Sequence, residues 1–175
     1  EAYKNVDLSF NINGLIKKLY FKDGMQVKQG ALVATLDDSI DQSNVAVAQA
    51  TLLGSKSVYE SNLKLSKKMA VAKVTLVKTQ SQWLQDKANL ELQQRTLNLK
   101  KLYAPFDGYL GVFDVKEGAY VGIGNKVVTL RQISPVRVNY SLPSTDQSLV
   151  ELAQSVEITS NALPGQVFEG LVSYR

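Results

Sequence analysis

The chain repeats itself at a constant offset of 94 residues, and this repeat limits the possible folds more than any other feature. Two glycine-rich blocks, which begin at Gly14 and Gly108, match without a gap. Each has short apolar runs separated by Asp-Gly or Glu-Gly turns, where glycine supplies a positive φ. The matched pairs are Gly14 and Gly108, Lys22 and Lys116, Gly24 and Gly118, Val27 and Val121, Gly30 and Gly124, Val33 and Val127, Thr35 and Thr129, and Leu36 and Leu130.

Neither block is long enough to close a hydrophobic core alone. We therefore predict that the two halves, residues 1–37 and 102–131, pack face to face as one β-sandwich. The segment before the first block supports this prediction, because apolar and polar residues alternate from Val6 to Asn13. A period of two residues is typical of a strand with one buried face.

The stretch between the halves, residues 38–101, predicts an antiparallel helical hairpin. It has no proline, one glycine (Gly54) and many Ala, Leu, Lys, Gln and Glu residues, which favour helices. Asp38 or Ser39 is placed to cap the first helix. We expect two helices of about 30 residues, each roughly 45 Å long, with a tip near residues 69–73. Seven-residue spacing predicts a coiled-coil seam at Val45, Leu52 and Tyr59, then Leu76, Trp83, Leu90 and Leu97.

The last segment, residues 132–175, predicts part of a β-barrel domain. Alternating residues from Val136 to Leu142 indicate a half-buried strand, and Ser144 with Gln147 forms a capping box for a helix through Leu149, Val150 and Leu152. Two further strands are expected at 156–159 and 167–174, joined by a turn at Leu163-Pro164-Gly165. The chain stops in a strand-like run, so we expect the domain to continue beyond it.

The composition excludes most catalytic chemistry. There is no cysteine and no histidine, which removes thiolate catalysis, Ser-His triads and nearly every zinc or copper site. Asp37, Asp38 and Asp41 are interpreted as groups at a helix N-terminus, where negative charge is favourable. We predict no catalytic residue, no metal site and no cofactor. No signal-peptide pattern or run of about 20 apolar residues is present, so an export signal or anchor is expected outside these residues if one exists.

The order of half-sandwich, hairpin, half-sandwich and barrel, with its motifs, resembles the membrane fusion protein (HlyD-like) family. The subgroup it resembles comprises periplasmic adaptors of resistance–nodulation–division (RND) tripartite efflux pumps. The motifs are Phe21-Lys-Asp-Gly24, Ala104-Pro-Phe-Asp-Gly108, Val138-Asn-Tyr-Ser-Leu-Pro143 and Phe168-Glu-Gly170. The resemblance implies an elongated α+β protein of several modules. It also implies three partners, namely an inner-membrane RND transporter, an outer-membrane channel and further copies of itself in a hexamer.

By the same resemblance, the protein is a non-enzymatic adaptor in the periplasm, associated with the inner membrane, and its hairpin tip docks on the channel. Family members often carry Arg, Leu and Ser at the tip, whereas aligning Leu65 with that Leu leaves Ser61 and Ala72 at the other two positions. The lysines near the tip are either a solvated face or a positive surface that docks on an acidic rim. The candidate docking residues are Ser61, Lys64, Leu65, Lys67, Lys68, Met69, Val71, Ala72 and Lys73.

Three other functions are compatible with parts of the sequence. An adaptor of a type I secretion system or an ATP-driven exporter would share the fold and differ in its partner. A nucleic-acid binder would use the basic hairpin, but aromatic residues are sparse there and no nucleic-acid motif occurs, so no nucleic acid is expected. The half-sandwich motifs also resemble biotinyl and lipoyl carrier domains. Those carriers hold a modifiable lysine on a short junction, and here helices replace that junction, so no cofactor is predicted.

Overall fold

The computed structural model describes residues 4–67, 72–134, 137–141, 143, 150–160 and 163–173. The chain divides into two compact units between residues 137 and 138, and each is described by itself. The elements are β1 (Asn5–Ser9), β2 (Gly14–Leu19), β3 (Gln26–Val27), β4 (Leu32–Leu36), α1 (Ser39–Ser66), α2 (Lys73–Leu99), β5 (Lys101–Tyr103), β6 (Gly108–Leu110), β7 (Tyr120–Val121), β8 (Lys126–Arg131), β9 (Ser155–Ser160) and β10 (Leu163–Leu171).

The first unit contains two four-stranded antiparallel sheets, with strand orders β1-β8-β6-β3 and β5-β4-β2-β7. Each sheet takes two strands from each half of the repeat. The short strands β3 and β7 each pair with a strand of the opposite half: β3 pairs with β6, and β7 pairs with β2. The two halves are therefore interleaved by exchange of strands, which the prediction of two halves packed face to face did not specify.

The core of the sandwich has the same two-fold repetition as the sequence. Every fully buried residue of the central cluster has a partner 94 positions away that is also buried, so both halves contribute equally to one core. Burial of such apolar side chains contributes about 1.5–3 kcal/mol each. The pairs are Leu8 and Leu102, Phe10 and Ala104, Ile16 and Leu110, Val27 and Val121, Val33 and Val127, Ala34 and Val128, and Leu36 and Leu130.

Hydrogen bonds between the halves repeat in the same way. Gly24 and Gly118 both have a positive φ, 74° and 81°, and the N–H of each donates to a carbonyl of the other half, at 3.0 and 2.8 Å. The preceding acids are also equivalent. The carboxylate of Asp23 accepts the Phe113 N–H at 3.0 Å, and that of Glu117 accepts the Leu19 N–H at 2.9 Å. These bonds tie each turn to the opposite half, which is why both halves are needed for one fold.

The two predicted helices are confirmed by α1, with 28 residues, and α2, with 27. They pack against each other, and Tyr59 stacks on Trp83 with ring centroids 5.3 Å apart and planes 5° apart. Trp83 is thus a packing residue. The predicted seam residues are all buried or half-buried, but a second set at heptad spacing is equally shielded and mostly polar. That set is Asp41, Ala48, Ser55, Asn62, Thr79, Asp86, Gln93 and Lys100.

The second unit contains the two strands predicted at 156–159 and 167–174, as β9 and β10, and otherwise differs from its prediction. β9 and β10 form an antiparallel pair, but Val138 and Tyr140 are exposed and outside any strand. A strand needs a hydrogen-bonded neighbour, and among the described residues of this unit β9 and β10 pair with each other. Val150 and Leu152 are not helical, and the rest of the predicted helix lies outside the described residues. The predicted turn at 163–165 belongs to β10, where pairing shifts between Leu163 and Val167.

Candidate functional site: the helical hairpin

The hairpin is attached to the sandwich through two neighbouring strands of one sheet. β4 ends at Leu36 and is separated from α1 by two residues, while α2 leads into β5 through Lys100. The Leu36 N–H donates to the Lys100 carbonyl at 2.8 Å, and the Asp37 N–H donates to Leu15 of β2 at 2.8 Å. The chain therefore enters and leaves the hairpin as a direct continuation of two strands of the sheet. This attaches the base of the hairpin to the β5-β4-β2-β7 sheet.

A buried carboxylate strengthens this base. Asp38 is only 8% exposed, and it accepts hydrogen bonds from the Lys17 ammonium at 2.7 Å and from the Gln42 side chain at 2.8 Å. The bond from Lys17, followed by that from Gln42, lowers the pKa of Asp38 below its ordinary value of 3.8. The same contact raises the pKa of Lys17. The contact links β2 to the first turn of α1.

The cap of α1 is provided differently from the prediction. Asp38 occupies the N-cap position, yet its side chain makes no capping bond, because Lys17 and Gln42 engage both of its oxygens. Instead Asp37 accepts the Ser39 N–H at 3.2 Å, and this bond lowers the pKa of Asp37. Asp41 pairs with Lys100 at 3.5 Å, with both side chains less than 20% exposed. The acidic cluster is therefore structural, as predicted, but with its members in other roles.

The candidate docking residues lie at the far end of the hairpin. Ser61, Lys64, Leu65 and Lys67 are exposed at the end of α1, and Ala72 and Lys73 are exposed where α2 begins. Lys68, Met69 and Val71 lie outside the described residues. Within the part of the chain that the structure describes, the ammonium groups of Lys64, Lys67 and Lys73 make no ion pair, so their charges remain available to a partner.

Sequence reasoning did not identify how the charges are distributed around the hairpin. At about 100° per residue, Lys56, Lys67 and Lys87 fall on one lateral face, so this face carries positive charge away from the tip as well. Lys56 is paired with Glu60 at 3.8 Å. The helical period of the sequence predicts this face when it is applied to the charged positions as well as to the apolar ones.

The described residues contain no group of three or more acidic residues that could hold a metal ion. None of the described helices is both long and apolar enough to cross a membrane.

Comparison with known proteins matches residues 4–131 to the family described as RND MFP, barrel-sandwich hybrid domain. The antibiotic efflux pump periplasmic linker protein ArpA of Pseudomonas putida is 30% identical over 158 residues, 89% of this chain and 42% of that protein. Multidrug resistance protein MexA of Pseudomonas aeruginosa is 30% identical over 146 residues, 82% of this chain and 38% of that protein. The chain thus spans less than half the length of these curated relatives.

The fold is similar to that of a MacA–MexA chimeric protein that contains the Pseudomonas aeruginosa MexA α-hairpin domain. The TM-score is 0.84 at 27% identity, over 99% of this chain and 63% of that one. The family match covers the sandwich and the hairpin, the two parts that the 94-residue repeat and its helical insertion define. The chain belongs to the RND membrane fusion protein family.

Proposed function

We propose that this protein is the periplasmic adaptor of a tripartite efflux pump. It would link an inner-membrane RND transporter to an outer-membrane channel, and it would act through assembly and coupling without bond-making chemistry. The observation that carries the proposal is the hairpin itself. Two helices of roughly 40 Å leave one sheet of the sandwich by adjacent strands and end in exposed lysines that make no ion pair with any other described residue.

The proposed division of labour follows the modules. Residues 1–37 and 102–131 form the lipoyl-like sandwich that holds the hairpin, and residues 38–101 form the hairpin that reaches the channel. Residues 132–175 are part of a β-barrel module on the transporter side. Several copies, as a hexamer, would surround the export path at the inner membrane. The relative named as an antibiotic efflux pump periplasmic linker protein supports this proposal.

The channel contact is proposed to be electrostatic at its rim and apolar at its centre. Lys64, Lys67, Lys68 and Lys73 would face acidic groups of the channel, where charge complementarity mainly sets specificity and association rate. Ser61 and Ala72 would lie beside the contact. Leu65, which is 43% exposed, would make the apolar contact together with Met69 and Val71.

The test is drug resistance in a strain that depends on this protein. The variant with Lys67, Lys68 and Lys73 replaced by Glu is expected to lose resistance while keeping wild-type helix content and melting temperature. A matched control replaces Lys22, Lys28 and Lys116, lysines of the sandwich, by Glu and makes the same change in net charge. Wild-type resistance in the tip variant, or equal loss in both variants, would reject docking through the tip lysines.

A further inference from the structure

The sandwich has a groove that lies across the two halves of the repeat. Its volume is about 700 Å³, and it is open to solvent. Every residue that lines the groove has its equivalent, 94 positions away, among the other lining residues. The groove therefore consists of two equivalent half-sites, one from each half of the repeat. The apolar pairs are Leu19 with Phe113 and Phe21 with Val115.

The floor of the groove is apolar and rests on the core of the sandwich. Leu19, Phe21, Phe113 and Val115 are half-buried, and all four pack against the buried core cluster. Two of these side chains are phenyl rings, whose faces attract cations as well as apolar groups. The floor therefore favours a ligand with an apolar body and accepts a positive charge beside it.

The groove holds two carboxylates in fixed positions. Asp23 accepts the Phe113 N–H at 3.0 Å, and Glu117 accepts the Leu19 N–H at 2.9 Å. Neither carboxylate can turn away without breaking a hydrogen bond between the halves. Each bond uses one carboxylate oxygen, and no other described residue donates to either group. One oxygen of each carboxylate is therefore available to a ligand.

The two lysines of the groove are not held in this way. Lys22 and Lys116 are exposed, and within the described ranges neither ammonium makes an ion pair. An ammonium on a flexible four-carbon stem turns toward solvent easily. The fixed charge of the groove is thus negative, although the groove contains as many lysines as acids.

The two carboxylates are close enough for one small molecule to reach both. The hydrogen bond from Phe113 places Asp23 beside a residue that lies four positions before Glu117. The bond from Leu19 places Glu117 beside a residue that lies four positions before Asp23. Four residues span at most about 14 Å, which is within the length of a chain-like ligand.

We propose that this groove binds an amphipathic dication, a molecule with an apolar chain and an organic ammonium group at each end. The chain lies on the apolar floor, and each ammonium contacts one carboxylate. The same group is needed at both ends because the two half-sites are equivalent. The inference does not rest on the proposed function, since the groove belongs to the sandwich and not to the hairpin.

NMR titration of the isotope-labelled protein tests the groove, because an open site predicts weak binding. The probe is decamethonium, an alkane chain with a trimethylammonium group at each end. We expect shifts at the amides of Leu19, Phe21, Phe113 and Val115. Decyltrimethylammonium, with the same chain and one charge, should bind at least about tenfold more weakly, since linked contacts reinforce each other. Sebacate, a dianion with a similar chain, should cause no shift at these amides.

Isosteric substitutions test the carboxylates. Asp23→Asn and Glu117→Gln each remove one negative charge but keep an oxygen that can accept the cross-half hydrogen bond, so the fold is expected to persist. Each should lower the affinity for decamethonium by about tenfold, and to a similar extent. Asp107→Asn is the matched control. Asp107 also accepts a backbone N–H of the other half, that of Gln29 at 2.6 Å, but it does not line the groove, so the affinity should not change.

The lysines give a test of sign. A variant with both Lys22→Gln and Lys116→Gln should bind decamethonium several-fold more tightly, because two repelling charges are removed. Weaker binding by this variant, or tighter binding of sebacate than of decamethonium, would show that the groove selects anions and would overturn the proposal.

Three further outcomes would also overturn it. The first is the absence of shifts at the groove amides in millimolar decamethonium. The second is equal affinity for decamethonium and decyltrimethylammonium, which would contradict two linked half-sites. The third is an equal loss of affinity in Asp107→Asn, which would show a general effect of charge. All of these measurements are independent of drug resistance, so they leave the proposed function to its own test.

Discussion

At the scale of single residues, two glycines of this chain have opposite roles in the structure. A Cβ at Gly108 would lie 2.5 Å from the Arg131 carbonyl oxygen, whereas one at Gly54 would meet nothing within 4 Å. The first glycine is required because β6 and β8 approach too closely for any side chain. The second is not required by the fold of one copy.

Alanine substitutions should therefore act in opposite directions. We expect Gly108→Ala to lower the free energy of unfolding by about 2 kcal/mol, because overpacking forces the backbone to shift. Gly54→Ala should raise the stability of the monomer by about 1 kcal/mol through helix propensity. Urea unfolding at low protein concentration measures both. A Gly108→Ala variant as stable as the wild type would contradict the close approach of β6 and β8.

The Asp38 carboxylate gives the fold a pH dependence. Its pKa is lowered in the folded state by Lys17 and Gln42, so its contribution is complete above the unfolded value and is lost as pH falls through the lowered value. We expect Asp38→Asn to cost about 1 kcal/mol at pH 7, since Lys17 is half exposed and solvent weakens the pair.

The difference between wild type and Asp38→Asn in urea unfolding should shrink progressively below about pH 5. Glu60→Gln is the control, because Glu60 makes an exposed pair with Lys56 on the helix surface. Such pairs contribute about 0.3–0.5 kcal/mol. A difference for Asp38→Asn that grows as the pH falls would show that the carboxylate is not stabilised by these two partners.

At the scale of elements, the sequence predicted the helices well and their seam only in part. The spacing of Val45, Leu52 and Tyr59 marks one position of the heptad, but the second position holds polar residues such as Asp86, which is 8% exposed. A search for apolar residues at both seam positions of the heptad therefore misses the second position. Polar groups are tolerated in this seam where a neighbouring side chain satisfies them, as Gln82 does when it donates to Asp86 at 3.0 Å.

Adjacent residues of α2 allow the seam to be tested. We expect Trp83→Ala to lower the free energy of unfolding of the hairpin by about 2 kcal/mol, since it removes buried area and the stacked contact with Tyr59. Leu84→Ala, at a half-exposed position outside the seam, should change it by less than about 0.5 kcal/mol in the monomer. Hydrogen exchange of the α1 and α2 amides measures both. Equal losses of protection would contradict the seam.

At the scale of the whole molecule, the repeat predicted which residues share the core but not how the strands are ordered. Exchange of β3 and β7 between the halves is set by long-range pairing, which a repeat in the sequence does not encode. The barrel segment was predicted least well. The alternation at Val138 and Tyr140 indicates a strand from local pattern, but a strand forms only where a neighbour pairs with it. The candidate docking residues remain a prediction for a related reason, since a docking site is defined by the partner that binds it.

The sandwich should fold without its hairpin. All buried residues of its core lie outside residues 38–100, and the ends of β4 and β5 are adjacent, with Thr35 paired to Lys101. We expect a variant in which a short Asn-Gly turn replaces residues 38–100 to unfold cooperatively and to keep the cross-half contact between Phe113 and Asp23 in its NMR spectrum. An unfolded or molten product would mean that the hairpin is part of the folding unit, because the two halves could then not find each other without it.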